Sequence, residues 1–270
     1  MAISAFKKIA MKAPGAVDHS INPFAEGVQS SSPSVNFIFG NTHKFPKGAV
    51  AVTYGLPKSG KSLLLNDMIA QLHKDDPEAI ALKWNTEWRE TFQMTPDQLK
   101  RWGVDIDRYQ AYETQDPSEI FDTICTLVPQ LVKDGYKIGL VGIDSVSNIL
   151  GRNLLAADSV DQQLRGDQAK TIQDGLSRCI SVFRKLRIPL VMTAQVRAEQ
   201  DPNKAKFNPY TMAGGYYLKH SAEYFIKISK ANDTKAGDKE DMDGNKFELD
   251  LKDLDGGKEA TGHKIKVEMT

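Results

Sequence analysis

The sequence predicts an α/β fold: a mainly parallel central sheet flanked by helices, followed by an antiparallel C-terminal extension. From Val35 onward, short apolar runs that suit buried strands alternate with segments of helical periodicity. This alternation is typical of a parallel sheet covered by helices on both faces. A glycine-rich loop joins the first clear strand to the first clear helix. Beyond Ala222, alternating polar and apolar segments between turn-rich stretches indicate antiparallel hairpins.

Length and composition predict one main globular domain with a small appendage. The chain has 270 residues, of which 40% are hydrophobic and 26% are charged, and such values are ordinary for a soluble protein. No apolar run approaches the ~20 residues that cross a bilayer. The N-terminus also lacks the apolar stretch and cleavage site of a secretory signal. We therefore expect a cytoplasmic protein that has no membrane partner.

Charge and cysteine content narrow the function classes. Lys plus Arg and Asp plus Glu number 35 each, so bulk charge does not indicate nucleic-acid binding and any such site must be local. The two cysteines, Cys125 and Cys179, lie in apolar-periodic segments without a partner at metal-ligand spacing. The favoured interpretation is small buried hydrophobic residues in a reducing compartment.

Residues 1–33 differ in composition from the rest of the chain. A short amphipathic candidate helix, residues 3–11, precedes a Pro/Gly/Ser-rich stretch that ends in GVQSSSPS. This composition predicts an arm and a linker, not a core. Residues 34–270 form the predicted core domain.

Strands and helices alternate through the core. The predicted sheet strands, in chain order, are GAVAVTY, AIALKWN, YQAYE, IGLVGID and IPLVMTAQV. The helices predicted between them cover GKSLLLNDMIAQLHK, residues 118–132 and residues 169–186, in the last two of which apolar residues recur at helical spacing. The antiparallel segments that follow are EYFIKIS, KFELDLKD and HKIKVEM.

A phosphate-binding loop follows the first strand. Residues 55–62 fit the pattern G-x-x-x-x-G-K-[ST] between a strand and a helix. In that geometry the loop amides and the helix N-terminus surround a β-phosphate, Lys61 reaches the β- and γ-phosphate oxygens, and the Ser62 hydroxyl binds Mg²⁺. The predicted nucleotide-binding residues are Gly55, Leu56, Pro57, Lys58, Ser59, Gly60, Lys61, Ser62 and Leu63.

Polar residues close the neighbouring strands, where a P-loop nucleotidase needs them. Asp144 ends IGLVGID and is placed to hold the metal together with Ser62. Glu87 follows AIALKWN and is the candidate that orients the attacking water, with Glu90 as an adjacent competitor. Gln195 is the penultimate residue of IPLVMTAQV and can sense the γ-phosphate. Taken singly, such residues are more often loop acids, caps or structural amides, so these roles depend on the phosphate loop.

The order of these landmarks resembles one protein family. The phosphate loop, NTEW, GLVGIDS, and VMTAQVR followed by a loop and AGGYYLKHSAEYF are similar to the RecA family of strand-exchange recombinases, most of all to the phage UvsX type. The resemblance implies a RecA-type P-loop ATPase core that uses ATP and Mg²⁺. It also implies helical filaments on single-stranded DNA, pairing with a homologous duplex, a recombination mediator and an ssDNA-binding protein as partners, and the host cytoplasm if a phage encodes the chain.

Residue roles carried over from the family agree with those argued above for the strand ends. Glu87 matches the catalytic glutamate, Asp144 the metal-side aspartate, and Gln195 the glutamine that couples the γ-phosphate to DNA. Two DNA-holding loops would be residues 150–170 and 197–215, in which basic side chains neutralise phosphates and aromatic rings stack on bases. The predicted DNA-binding residues are Arg152, Arg165, Lys170, Arg197, Lys204, Lys206, Phe207, Tyr210, Gly214 and Gly215.

The resemblance also implies subunit contacts. The N-terminal arm would pack on a neighbouring subunit through Phe6, Ile9 and Phe24, and Lys219 would reach the adjacent nucleotide. His220 is expected in an interface or core and not as a catalyst. The adenine contacts stay open among Trp88, Arg89 and Phe92.

Three other functions stay open from the sequence. An accessory ssDNA-binding or annealing protein would bind ATP with little turnover, which a turnover assay distinguishes. A helicase-like RecA-fold motor would unwind duplexes directionally without homologous pairing. A small-molecule kinase is least favoured because no basic lid segment is evident. The family's core continues beyond the strand matched by HKIKVEM, so a truncated form or a minimal natural version is expected.

Overall fold

The fold is described from a computed structural model. It covers residues 6, 9–12, 25–40, 43–89, 94–155, 166–198, 203, 206, 210–212, 216–235, 239–240, 246–247 and 260–269. Within these residues the chain forms a mainly parallel sheet with helices on both faces, as the sequence predicts. Across these same ranges, no helix is both long and apolar enough to cross a membrane.

The strands and helices follow the predicted alternation. The strands are β1 (Gly27–Val28), β2 (Phe45–Pro46), β3 (Val50–Gly55), β4 (Ala79–Asn85), β5 (Tyr109–Glu113), β6 (Lys137–Asp144), β7 (Leu190–Ala198), β8 (Tyr210–Met212), β9 (Tyr224–Lys235), β10 (Lys239–Glu240), β11 (Lys246–Phe247) and β12 (Ala260–Met269). The α-helices are α1 (Pro33–Phe37), α2 (Lys61–Asp75), α3 (Pro96–Arg101), α4 (Pro117–Lys133), α5 (Arg152–Leu155), α6 (Asp167–Leu186) and α7 (Tyr216–Ser221).

The central sheet has the strand order β12-β9-β3-β7-β6-β4-β5, with β8 paired to β7. The strands from β9 to β5 are parallel, whereas β12 runs antiparallel to β9 and β10 pairs antiparallel with β11. The C-terminal antiparallel extension is therefore confirmed for β12 and for the pair of β10 with β11. The predicted antiparallel segment EYFIKIS is corrected: it lies in β9, which pairs in parallel with β3 and so extends the parallel sheet. Of the predicted strand KFELDLKD, only Lys246–Phe247 lies within the described residues.

Apolar side chains on both faces of the parallel strands form the core. On one face α4 and α6 pack against the sheet and against each other, while α2 and α3 cover the other face. The two helices of the first face lie so close that a Cβ added to Gly175 would come within 2.0 Å of the Phe121 ring. Strands buried on both sides read as continuous apolar runs, which is why the sequence identified them.

The end of the predicted linker packs on the core. Strand β1 pairs antiparallel with β2, and Val28 is buried in the core cluster on the α2 face. The Asn36 side chain closes this segment by accepting a hydrogen bond from the Ser30 amide and donating one to the Ser30 carbonyl, each at 2.8 Å. The division of the chain at residue 33 itself stays a prediction.

The two cysteines lie side by side between α4 and α6. Their Sγ atoms are 3.3 Å apart although the residues are 54 positions apart in sequence. Cys179 is buried and Cys125 is half-buried. Burial, followed by the neighbouring Cys125, raises the pKa of the Cys179 thiol far above its usual range. The prediction of a small buried side chain is confirmed for Cys179. The contact between the two sulfur atoms was not predicted from the sequence.

Candidate nucleotide site

The phosphate loop connects the end of β3 to the start of α2. Gly55 is tightly packed, since a Cβ there would lie 2.1 Å from the carbonyl oxygen of Ile228. Gly60 has a φ of 103°, a left-handed conformation that favours glycine, and the helix begins at the next residue. The amides of the first turn of α2 have no acceptor within the helix, and such amides are the donors that an anion site at a helix N-terminus uses.

Lys61 lies beneath this loop and is 8% exposed. Its Nζ donates hydrogen bonds to the carbonyl oxygens of Gly55 at 3.0 Å and Leu56 at 2.8 Å. Burial lowers the pKa of Lys61, the charges of Glu87 and Asp144 oppose that change, and Arg89 adds to it. The ammonium thus lies within an electrostatic network that joins the loop to the strand ends.

Both carboxylate oxygens of Asp144 have partners on neighbouring elements. Its Oδ1 accepts hydrogen bonds from the hydroxyls of Ser62 at 3.1 Å and Thr193 at 2.5 Å. Its Oδ2 lies 3.5 Å from Nζ of Lys83, which also donates to Oδ1 of Asn66 at 3.0 Å. Asp144 itself is only 2% exposed. The predicted proximity of Ser62 and Asp144 is present, and the geometry adds Lys83, Thr193 and Asn66.

Sequence reasoning missed these three supporting residues. The sequence does contain an indication for Lys83: it is a charged residue inside the apolar run AIALKWN, and a buried charge needs a partner. Thr193 and Asn66 left none, since their partner depends on how β7 and α2 align with β6.

Glu87 and Gln195 meet at the carboxyl ends of β4 and β7. Nε2 of Gln195 donates to Oε1 of Glu87 at 3.0 Å, and the Gln195 amide donates to the Ser147 hydroxyl at 2.7 Å. The other carboxylate oxygen of Glu87 forms an ion pair with Nη2 of Arg89. The Glu87 amide is also fixed, by donating to Oδ1 of Asn85 at 2.8 Å. Glu87 and Gln195, for which separate roles are predicted, are thus in direct contact.

A cavity of about 490 Å³ lies over the phosphate loop. Its lining residues are Pro57, Lys58, Ser59, Gly60, Lys61, Ser62, Leu63, Glu87, Arg89 and Gln195. Three basic side chains face a single acidic one, so the cavity suits an anion. The Ser59 hydroxyl is buried and has no hydrogen-bond partner among the described residues, which leaves a donor for a ligand. These features fit a nucleoside triphosphate, and the oxygens of Ser62 and Asp144 fit Mg²⁺.

A second cavity, of about 570 Å³, lies at the opposite edge of the sheet, near the starts of β6 and β7. It is the larger of the two, but four of the charged residues at its walls form two ion pairs with each other. Lys47 pairs with Glu26 and Lys137 with Asp76, each at 2.7 Å. Ligands of open parallel sheets bind at the carboxyl ends of strands. We therefore place the site at the phosphate loop.

Comparison with known proteins identifies the family. A family model described as the RecA N-terminal domain matches residues 7–253. The chain belongs to the RecA family. Protein RecA of Acholeplasma laidlawii is 25% identical over 227 residues, which cover 84% of this chain and 63% of the relative. Protein RecA of Fusobacterium nucleatum is 27% identical over 197 residues, which cover 72% and 47%. The chain thus spans less than two thirds of the length of these relatives.

The first predicted DNA loop of this RecA-family chain, residues 150–170, is partly helical. Arg152 begins α5 and Lys170 lies in the first turn of α6, and both side chains are exposed. The Asp167 carboxylate joins the two ends by accepting hydrogen bonds from the Asn153 amide at 3.0 Å and its side chain at 2.9 Å. Arg165 lies outside the described residues. The loop is therefore anchored at its base by α6.

The second predicted DNA loop, residues 197–215, differs from the expectation at its base. Strand β7 continues to Ala198, and β8 pairs back on it antiparallel, so that Val196 is opposite Met212. This pairing satisfies backbone groups that an open loop would leave to water. Arg197 and Lys206 are exposed. The predicted DNA-binding residues that lie outside the described part of the chain are Lys204, Phe207, Gly214 and Gly215, and of Tyr210 only the backbone is described, in β8.

The predicted subunit contacts are exposed where the structure describes them. Phe6 is 70% and Ile9 is 72% exposed, which is unusual for large apolar side chains. Lys219 and His220 are exposed on α7. Phe24 lies outside the described residues, and the interface roles of Phe6, Ile9, Phe24 and Lys219 stay predictions. Two residues with other predicted roles also lie outside the described residues: Phe92, a candidate adenine contact, and Glu90, the competitor of Glu87.

Proposed function

We propose that the chain is an ATP-dependent DNA strand-exchange recombinase. It forms helical filaments on single-stranded DNA and pairs that DNA with a homologous duplex. The observation that carries the proposal is the contact between Gln195 and Glu87, because Gln195 lies on β7 and the same strand leads through Arg197 into the predicted DNA loop. One strand thus connects the nucleotide cavity with the predicted DNA-binding segment, as coupling between ATP and DNA requires.

ATP binding uses the phosphate loop. The amides at the start of α2 surround the β-phosphate, and the Lys61 ammonium exchanges its loop carbonyls for β- and γ-phosphate oxygens. Ser62 and Asp144 hold Mg²⁺. When bound, this ion neutralises charge that develops on the phosphate oxygens. The residues Thr193, Lys83 and Asn66 keep the Asp144 carboxylate in one orientation.

Hydrolysis uses Glu87. Its carboxylate orients a water in line with the γ-phosphorus and receives a water proton, while the bond from that phosphorus to the bridging oxygen of ADP breaks. ADP and phosphate result. Gln195 binds the γ-phosphate side and transmits its loss to the loop that follows β7. The chain is therefore a DNA-dependent ATPase in this proposal.

DNA and partner contacts complete the proposal. Arg152, Lys170, Arg197 and Lys206 are exposed basic side chains that neutralise DNA phosphates. The other residues predicted for the two loops contribute further DNA contacts in this proposal. Phe6, with Phe24 and Lys219, contacts the next subunit of the filament. A mediator and an ssDNA-binding protein act as further partners. The four sequence landmarks support the phage UvsX type within the family, which would work in the host cytoplasm.

The experiment measures binding of a labelled single strand by fluorescence anisotropy with ATP, with ADP and without nucleotide. Strand exchange with a homologous and a heterologous duplex follows. Lys61→Ala is expected to abolish the effect of ATP, whereas Lys137→Ala, at the opposite edge of the sheet, leaves it intact. ATP-stimulated binding that survives Lys61→Ala would falsify the coupling. Unwinding without homology dependence identifies a motor, and annealing without turnover identifies an accessory protein.

A further inference from the structure

Arg89 is a basic residue of the nucleotide cavity that the proposed reaction has not used. Its side chain is 44% exposed, and its guanidinium pairs with Oε2 of Glu87, which is 11% exposed. Both residues line the cavity together with Lys61. An exposed arginine that pairs with the water-orienting carboxylate has a position from which it can reach both that carboxylate and a bound phosphate.

The two partners of Glu87 differ in freedom. Gln195 is fixed in a strand, and its amide is bonded to the Ser147 hydroxyl. Arg89 instead follows Trp88, which has a φ of 55°, a region that bulky residues avoid. That turn brings the side chains on either side of Trp88 together. Strained backbone of this kind is concentrated at ligand clamps and switches, so the ion pair belongs to a segment built around the cavity.

The charge balance of the cavity changes when a triphosphate enters. Without it, the Glu87 carboxylate is the acceptor nearest to Arg89. With it, the γ-phosphate brings further negative charge to the wall that already holds Glu87. Like charges at such distances repel strongly when partly buried. The planar guanidinium binds phosphate as well as carboxylate in a forked geometry.

The positive charge of Arg89 also acts on Lys61, the predicted phosphate-binding lysine. Its charge contributes to the lowered pKa of Lys61, after the larger effect of burial. The two cations line the same cavity, and a phosphate placed between them would relieve their repulsion. This charge arrangement favours a ligand oxygen, in addition to Glu87, as a partner of Arg89.

We propose that Arg89 is a γ-phosphate-binding residue that exchanges partners. In the nucleotide-free chain it pairs with Glu87; with ATP bound it binds the γ-phosphate oxygens and releases Glu87 to orient water. The inference rests on the proposed nucleotide function of this cavity. An arginine supplied from the same chain gives a P-loop enzyme a cation for the charge that develops during phosphoryl transfer.

The test compares affinities for ADP and for a non-hydrolysable ATP analogue, measured by calorimetry with Mg²⁺ present. Arg89→Ala is expected to weaken binding of the analogue about tenfold or more, which corresponds to the loss of one charge-assisted hydrogen bond. The affinity for ADP should stay unchanged. Arg89→Lys restores part of the loss. Arg178→Ala is the matched control, since Arg178 forms an exposed ion pair with Asp122 on the outer faces of α6 and α4.

A double-mutant cycle tests the exchange itself. Glu87→Gln removes the charge that holds Arg89 and should tighten binding of the analogue, and this gain should disappear in Glu87→Gln/Arg89→Ala. Equal losses for ADP and the analogue in Arg89→Ala, or no loss for either, would overturn the inference while leaving the nucleotide site intact. A wild-type chain that binds neither nucleotide overturns the nucleotide function, and the inference with it. Thermal unfolding of each variant confirms that it is folded.

Discussion

Asp144 and Glu87 follow neighbouring strands of the same sheet, and their surroundings are opposite in character. The Asp144 carboxylate is buried and is bonded to Ser62, Thr193 and Lys83, all of which lie in a helix or a strand. The Glu87 carboxylate is bonded to Gln195 on one side and to the exposed Arg89 on the other. One carboxylate thus has fixed partners, whereas the other has one fixed partner and one exchangeable partner.

This difference matches two different tasks. A metal-side acid must keep one orientation through the cycle, and buried, fully bonded carboxylates keep theirs because any loss of a partner is costly. A water-orienting acid must be held in place yet become available when substrate arrives. Arg89 can leave Glu87 without unfolding anything, since its side chain already contacts solvent. The comparison predicts that substitutions near Asp144 affect stability, and those near Glu87 affect coupling.

The largest expected effect on stability comes from Lys83→Met. This change leaves the Asp144 carboxylate buried without its cation, which typically costs about 3–5 kcal/mol of unfolding free energy. Urea denaturation measures it. Lys137→Met is the control, because Lys137 pairs with Asp76 at the surface, where such pairs contribute about 0–1 kcal/mol. Equal losses in both variants would show that the buried pair does not hold Asp144.

A smaller effect is expected from Thr193→Val, which removes the hydroxyl that donates to Asp144 with little change of shape. We expect a loss of about 1.5–3 kcal/mol in unfolding free energy, the range for a hydrogen bond to a charged group. Thr53→Val is the matched control: Thr53 is also fully buried but donates to the Met192 carbonyl at 3.3 Å. The control should lose less. If it loses as much, Asp144 is not specially supported.

On the Glu87 side, Gln195→Ala should change coupling and leave stability nearly intact. The expected loss is about tenfold in the ratio of ssDNA affinities with ATP and with ADP, equivalent to about 1.4 kcal/mol of coupling free energy. Anisotropy titrations measure both affinities. Gln130→Ala, an exposed helix position whose side chain bonds to Asp134, serves as the control. An unchanged ratio of affinities in Gln195→Ala would show that Gln195 does not couple the nucleotide to DNA binding.

The smallest expected effect is a change in how the unfolding free energy depends on pH, and it involves His73. Burial, followed by Arg108, lowers the pKa of His73, and its Nδ1 accepts a hydrogen bond from the Asp105 amide at 3.0 Å. Because the folded pKa is below the unfolded value of about 6.5, the unfolded chain takes up the proton first. Stability is therefore full above this value and falls as the pH decreases through the folded pKa. His73→Gln should reduce the slope between pH 7.5 and 5.5; an unchanged slope assigns it to other groups.

Much of the site was predictable because parallel strands end at one edge of the sheet. Asp144, Glu87 and Gln195 were predicted from strand ends together with the phosphate loop, and they do lie beside that loop or at the cavity over it. Their roles stay predictions. The Lys83 pair and the Thr193 hydrogen bond were not, because they depend on strand alignment. The Arg89 ion pair also escaped prediction, since it depends on the turn at Trp88.

The fold was predictable to a similar degree and for similar reasons. Apolar runs and helical periodicity located the long helices and the parallel strands from β3 to β7. The exception is β9, whose alternating pattern was taken as antiparallel although it pairs in parallel with β3. The pairing of β8 with β7 and the packing of Val28 on the core were missed, because short strands in polar segments carry little periodicity. The contact between Cys125 and Cys179 arises from the packing of α4 on α6, which no local pattern encodes.

DNA-dependent ATP hydrolysis through Glu87 is tested most directly by steady-state kinetics at fixed Mg²⁺. The rate is measured with and without single-stranded DNA, for the wild type and for Glu87→Gln. We expect single-stranded DNA to stimulate ATP hydrolysis by the wild type. In the variant kcat should fall about 10²–10⁴-fold, which is the usual contribution of a positioned general base. ATP-dependent DNA binding should survive the substitution. Hydrolysis that is independent of both DNA and Glu87 would contradict the account.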